Sequence, residues 1–228
     1  LTVTADGKSR EYGLVNPQLT STISGLRNGD SAAVVTGLVL ATSATQASGV
    51  GNYAIGVSGG SALNYDFSYV PGTLAITPAT LTVAIDSKTR VYGSANPELT
   101  ASITGFRNGE DASVVSGLRL RTGALARANV GSYLITGSGA DAANYRFDYL
   151  PGTLSITKAL LQVRIDSTSR EYGLANPEFT ARITGFRNGD NASVISGLTF
   201  GTPAVIGSDV GIYAITASGA SALNYDFS

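Results

Sequence analysis

The sequence predicts a mostly β protein: a tandem array of small modules, β-sandwich-like or β-grasp-like, each with one short helix. Three observations lead there. Tyr12, Tyr92 and Tyr172 stand 80 residues apart, and Tyr53/Tyr133/Tyr213, Tyr65/Tyr145/Tyr225 and Tyr69/Tyr149 keep the same interval. A fixed period of this size marks a repeat array. Apolar residues alternate with period two in short runs, the pattern of half-buried strands. Asn-Gly and Pro-Gly pairs punctuate those runs as turn signals. The copies are 1–80, 81–160 and a shortened 161–228.

The elements of one copy follow in order. Leu1, Val3 and Ala5 share one face of a first strand, as do Leu81, Val83, Ile85 and Leu161, Val163, Ile165. Leu19 and Ile23 mark a second strand, which runs into Arg27-Asn28-Gly29, a tight turn in which Asn tolerates positive φ. Ser31, Asp111 and Asn191 are good N-cap types, and Gly37, Gly117 and Gly197 stand where a helix would end. One short helix is expected between them. Leu38 and Leu40 open a strand ahead of a loop at 41–49, the segment that varies most between copies. Val50-Gly51-Asn52-Tyr53-Ala54-Ile55 starts another strand. Tyr65, Phe67 and Tyr69, Pro71-Gly72 and Leu74–Ile76 predict an aromatic hairpin to close the unit, with the aromatic face turned to the core.

Only Pro78-Ala79-Thr80 separates the end of one unit from the first strand of the next. A connection of about three residues restricts bending. Each copy is expected to fold around its own interior, and three modules of roughly 30 Å placed end to end would span roughly 100 Å. The third copy has no counterpart of Tyr69–Thr77, so an unpaired strand edge is expected there.

Composition narrows the function. The chain has no Cys, His, Met or Trp. That removes disulfides, thiolate chemistry and the commonest general base and metal ligand. The net charge of −1 gives no basic footprint for nucleic acid. No apolar run approaches the ~18–20 residues of a membrane span, so membrane insertion of this segment is not expected. No cofactor is expected, nor any metal or catalytic site, and the reading is non-enzymatic.

The repeated motif reads Tyr12-Gly13-Leu14-Val15-Asn16-Pro17-Gln18-Leu19-Thr20, then Tyr92, Gly93, Asn96, Pro97, then Tyr172, Gly173, Asn176, Pro177 at the same columns. Beside it recur Gly-Leu/Phe-Arg-Asn-Gly-Asp/Glu, Val-Gly-x-Tyr-x-Ile, Asn-Tyr-x-Phe and Pro-Gly-Thr-Leu-x-Ile. In order and spacing these resemble the MBG ("mostly beta, glycine-rich") repeat of the Tyr-Gly type, over all three copies. The resemblance implies an extracellular stalk role in large, filamentous-haemagglutinin-like adhesins of Gram-negative cell surfaces. It supplies no catalytic residues.

The remaining candidates are weighed on their chemistry. Asp6, Asp86 and Asp166 recur, but calcium needs roughly six to eight oxygens from clustered groups, and no Asp-x-Asp cluster exists. Asp6/Arg10, Asp86/Arg90 and Asp166/Arg170 are candidates for internal ion pairs. Arg27, Arg107 and Arg187 suit either an acidic ligand or a cover over aromatic faces. The aromatic columns suit either a core or a sugar-stacking platform. The expected partners are neighbouring repeats of the same chain, with a glycan or a host surface protein as the alternative. A monomer is expected.

Overall fold

A computed structural model describes all 228 residues, Leu1–Ser228. The chain is mostly β, with nineteen short strands and three 3-10 turns. It divides into two compact units. The first comprises Leu1–Ala84, Ala101–Arg119 and Gly137–Leu150; the second comprises Ile85–Thr100, Leu120–Thr136 and Pro151–Ser228.

In the first unit, β1 (Thr2–Ala5), β2 (Lys8–Glu11), β3 (Ser21–Ser24), β4 (Thr36–Thr42), β5 (Gly51–Ser61), β6 (Ser68–Val70) and β7 (Gly72–Thr77) form two sheets of order β3-β1-β6 and β2-β7-β5-β4. The chain passes between these sheets five times, and two of the crossings are made almost without a loop. β1 runs into β2 across Asp6-Gly7, and β6 runs into β7 across Pro71-Gly72. β1 pairs with β6 in parallel, and β2 pairs with β7 in parallel. The expected aromatic hairpin is therefore absent. Pro71 offers no N–H to a ladder. Gly72 passes so close to β1 that a Cβ would lie 2.4 Å from the Ala5 carbonyl oxygen. The Pro-Gly pair marks a crossing between sheets, not a reversal of the chain.

The expected helix is also corrected. Ala32–Val34 is a single 3-10 turn, and Val35 is already extended at φ −96, ψ 124. Ala112–Val114 and Ala192–Val194 repeat it. Asp111 and Asn191 cap these turns by accepting from Ser113 N and Ser193 N, whereas Ser31 makes no side-chain cap. β-Branched residues such as Val34 and Val35 favour extension over helix, and the chain is drawn at once into β4. Gly37 lies inside β4, so it does not end a helix. The Asn-Gly turn is as expected, with Asn28, Asn108 and Asn188 at φ 52, 53 and 55.

In the second copy, β8 (Ala79–Ile85), β9 (Lys88–Val91), β10 (Ala101–Thr104), β11 (Arg119–Thr122), β12 (Gly131–Ser138), β13 (Tyr145–Leu150) and β14 (Gly152–Thr157) repeat the pattern. The sheet β10-β8-β13 falls in the first unit, and the sheet β11-β12-β14-β9 in the second. Only Pro78 lies between β7 and β8, and only Lys158 between β14 and the next strand, β15. The third copy contributes β15 (Ala159–Ile165), β16 (Ala181–Thr184), β17 (Thr199–Gly201), β18 (Thr216–Ser218) and β19 (Tyr225–Phe227), in sheets β16-β15-β19 and β17-β18.

The buried cluster of the first unit joins both sheets of the first copy through Ala5, Ile55, Leu74 and Ile76. It continues through Tyr12, Ala44 and Ala79 into Leu81, Ala142 and Tyr145 of the second copy. The expectation of a private interior for each copy is not met, because the core runs across the junction. Ile55, Leu74 and Leu81 are fully buried. Each such side chain stabilises the fold by about 1.5–3 kcal/mol.

Candidate functional site

The recurring Tyr-Gly motif lies at the end of β2, where one copy meets the next. Its scaffold is built on Arg10. The Arg10 guanidinium donates to Asn16 Oδ1 at 2.7 Å, Glu11 O at 3.1 Å and Thr45 O at 2.5 Å. Asn16 Nδ2 in turn donates to Ala44 O at 2.6 Å. A planar guanidinium serves several acceptors at fixed angles, so it fixes the bend that Asn16-Pro17 begins. Arg90 and Asn96 repeat these bonds, and so do Arg170 and Asn176.

The Asp6/Arg10, Asp86/Arg90 and Asp166/Arg170 ion pairs proposed from the sequence are not formed. Asp6 accepts from Thr20 Oγ1 at 2.5 Å and Thr22 Oγ1 at 2.9 Å. Asp86 accepts from Thr100, and Asp166 from Thr180. The aspartate follows the first strand of its copy and braces the start of β3, β10 or β16. Arg10 and Arg90 instead lie buried, turned toward the loop after β4 and its counterpart. The Thr20 hydroxyl, followed by that of Thr22, holds the Asp6 carboxyl below its ordinary range.

The Tyr-Gly pair receives the next copy. The Tyr12 hydroxyl donates to Glu110 at 2.9 Å, and its ring meets that of Tyr145 edge to face at 5.5 Å between centroids. Tyr145 O–H donates to the same Glu110 carboxylate and accepts from Arg107 N at 2.9 Å. Phe106 packs edge-on against Tyr145. Asn144 Oδ1 accepts from Val50 N at 2.9 Å. Gly13, at φ 78, lies under the Arg107 stem, where a Cβ would come within 2.4 Å of the Arg107 Cβ. Desolvation, with the Glu110 carboxylate beside it, pushes the Tyr145 hydroxyl up to about 12.

The second unit repeats this arrangement. Tyr92 donates to Asp190 at 3.0 Å and meets Tyr225 edge to face at 5.4 Å. Tyr225 donates to Asp190 at 2.7 Å and accepts from Arg187 N at 2.8 Å. Val130 N donates to Asn224 Oδ1. Desolvation again raises the Tyr225 hydroxyl to about 12, with the Asp190 carboxylate adding to the shift.

Burial separates the occupied motifs from the open one. Tyr12 and Tyr92 are each 4% exposed, whereas Tyr172 is 67% exposed. A Cβ on Gly173 would meet nothing within 4 Å. The half of the contact offered by the following copy also forms without a partner. Tyr65 donates to Asp30 at 2.8 Å and accepts from Arg27 N at 2.9 Å. Each half is therefore set by local hydrogen bonds.

The Tyr-Gly motif is legible in the sequence, whereas the part played by Glu110 and Asp190 is not. An acidic residue recurs after every Asn-Gly turn, as Asp30, Glu110 and Asp190, and that column was the available signal. The aromatic column divides. Tyr145 and Tyr225 are buried, while Tyr69 is 40% exposed and stacks on Phe67. Chemically, the site is a socket of a buried ring, a hydroxyl and a bare glycine.

Comparison with known proteins bears on the repeats. The profile of the MBG domain (YGX type) matches residues 1–75, 81–155 and 161–228. No curated protein matches. A solved structure of three N-terminal domains of the bacteriophage RB49 Highly Immunogenic Outer Capsid protein (Hoc) is similar at 14% identity and a TM-score of 0.29, over 89% of this chain and 74% of that one. So distant a likeness carries no argument about the fold.

Proposed function

This chain belongs to the MBG domain family of the YGX type, and on that footing we propose that its repeats are stalk or spacer elements of a large secreted bacterial surface adhesin. They would project a binding region away from the cell. The observation that carries this reading is the Tyr12–Glu110–Tyr145 contact and its counterpart Tyr92–Asp190–Tyr225. Each ties the end of one copy to the start of the next, beside a one-residue connection. An array of this kind adds length and stability copy by copy. In this reading the chain is monomeric and extracellular, with no enzymatic, nucleic-acid-binding or membrane-inserting role.

Small-angle scattering tests the stalk. A stiff array gives a maximum dimension of roughly 100 Å, and Tyr12→Ala together with Tyr92→Ala turns the curve into that of a flexible bead string. An unchanged curve for the double variant would remove the junction from the argument.

A second reading, a multivalent module with low affinity per copy for a glycan or host protein, is favoured by the loops after β4 and its counterparts. Leu125 is 76% exposed, and Val205 and Ile206 are 64% and 59% exposed. The first copy has Thr45 and Gln46 at the columns of Leu125 and Ala126. Repetition would raise avidity. Saturable binding of the chain on a glycan array or on host cells would favour this reading over a passive spacer.

A further inference from the structure

Positive charge is unevenly shared between the copies. The second copy holds eight of the fifteen Lys and Arg residues but six of the sixteen Asp and Glu, and it alone is basic. Three of its arginines have no counterpart. Arg119 and Arg121 stand at the columns of Val39 and Ala41 in the first copy and of Thr199 and Gly201 in the third. Arg127 stands at the column of Ala47 and Gly207. All three are exposed. The ion pairs of the chain are Lys88–Asp86, Arg146–Glu11 and Lys158–Asp226, and none uses them. Guanidinium hydrogen bonds within the chain belong to Arg10, Arg90, Arg146 and Arg170.

The fold sets this charge on a face without acid. β11 alternates exposed Arg119 and Arg121 with half-buried Leu120 and Thr122, so both arginines leave the outer side of the sheet. Ser132, Leu134 and Thr136 of β12 are exposed on that side, and Ser155 of β14 lies opposite Ser132. β9, β11, β12 and β14 contain no Asp or Glu. Arg127 follows in the loop that leads out of β11. Charge on an edge strand can serve to keep other chains from pairing with it. The equivalent edge strands β4 and β17 manage with Val39 and Ala41, or with Thr199 and Gly201, so the edge itself does not require arginine.

We propose that this face docks an anionic polysaccharide whose charges are carboxylates, a polyuronate. Each guanidinium offers a planar fork that a carboxylate meets with two parallel hydrogen bonds. Arg119 and Arg121 are roughly 7 Å apart along the strand, so one extended polymer can meet both. The Ser132 and Thr136 hydroxyls beside them suit sugar hydroxyls. A nucleic acid calls for a far more basic footprint than a chain of net charge −1 provides. A protein partner calls for aromatic anchors, whereas the large apolar side chains of this face are Leu134 and Val91. The inference goes beyond the multivalent reading, because it places one charged site in one copy, and it holds whether or not the array is a stalk.

The test measures retention of the 228-residue chain on immobilised alginate, with heparin as the sulfated and dextran as the neutral comparison. Saturable binding to alginate is expected, weakening as salt is raised, with no retention on dextran. Soluble alginate is expected to shift the amide resonances of 119–122 and 132–136. Arg119→Thr, Arg121→Ala and Arg127→Ala together install residues that the other copies carry at those columns. This triple variant is expected to bind at least about tenfold more weakly at an unchanged melting temperature. Arg164→Ala with Arg182→Ser removes two arginines that face each other across β15 and β16, and is expected to leave binding unchanged. No binding to alginate, tighter binding to heparin, resonance shifts confined to other segments, or equal losses in the two variants would each overturn the proposal. Dextran binding that survived the triple variant would also overturn it, and would favour the multivalent reading.

Discussion

The Tyr12 hydroxyl donates a 2.9 Å hydrogen bond to the Glu110 carboxylate, 98 residues further along the chain, and Tyr92 reaches Asp190 over the same separation. The family's signature tyrosine therefore serves the following copy. Its backbone N–H still bonds within its own copy, Tyr12 N to Thr77 O and Tyr92 N to Thr157 O, but the ring is buried only where a neighbour covers it.

One motif thus has two fates under the same substitution. Tyr12→Ala and Tyr92→Ala remove a buried ring and leave the acid short of a donor, so each is expected to cost about 3–5 kcal/mol. Tyr172→Ala acts on an exposed ring and is expected to stay within about 0.5 kcal/mol. Urea unfolding of the three single variants compares them directly. Equal losses would mean that the motif acts inside its own copy.

Gly13 and Gly173 share a left-handed backbone, at φ 78 and 83, but not their surroundings. Both alanine variants carry the roughly 1–2 kcal/mol cost of that conformation. Gly13→Ala must also displace the Arg107 stem, whereas Gly173→Ala meets open space. The expected order of melting temperatures is wild type, then Gly173→Ala, then Gly13→Ala.

Arg10 separates charge from geometry. Its three acceptors are the neutral oxygens of Asn16, Glu11 and Thr45. Arg10→Lys keeps the charge but cannot span that fork, and the expected loss is about 1–3 kcal/mol. Asp6→Asn should leave these bonds to Arg10 intact, because Asp6 bonds only to Thr20 and Thr22. A double-mutant cycle between positions 6 and 10 is expected to show no coupling, whereas a large coupling energy would restore the ion pair.

Alkaline pH tests the junction tyrosines together. Tyr145 and Tyr225 have folded values of about 12 against an ordinary 10. A raised folded pKa means that the folded state holds the proton more tightly. The stabilisation is complete below pH 10 and is lost as pH rises from 10 through about 12. Tyrosinate absorbance should lag behind that of exposed tyrosines, and stability should fall within that window. Tyr145→Phe and Tyr225→Phe should flatten the fall.

The larger features were legible before any coordinates because they are local or periodic. An 80-residue register of tyrosines reveals the array, and period-two alternation reveals strands such as Thr2–Ala5, since one face of a half-buried strand must be apolar. Asn28-Gly29 reads as a turn from its own backbone preference. The partners of each residue were not legible. Pro71-Gly72 is equally compatible with a hairpin and with a crossing, and only the pairing of β6 with β1 and of β7 with β2 decides for the crossing. Asp6 and Arg10 are close along the chain, yet one braces Thr20 and the other the loop at Thr45. Whether Tyr12 belongs to a sheet face, a ligand site or a junction depends on Glu110 and Tyr145, which lie a whole copy away. Sequence period specifies which residues recur; contact across that distance, where burial and hydrogen bonding are settled, specifies what the recurrence is for.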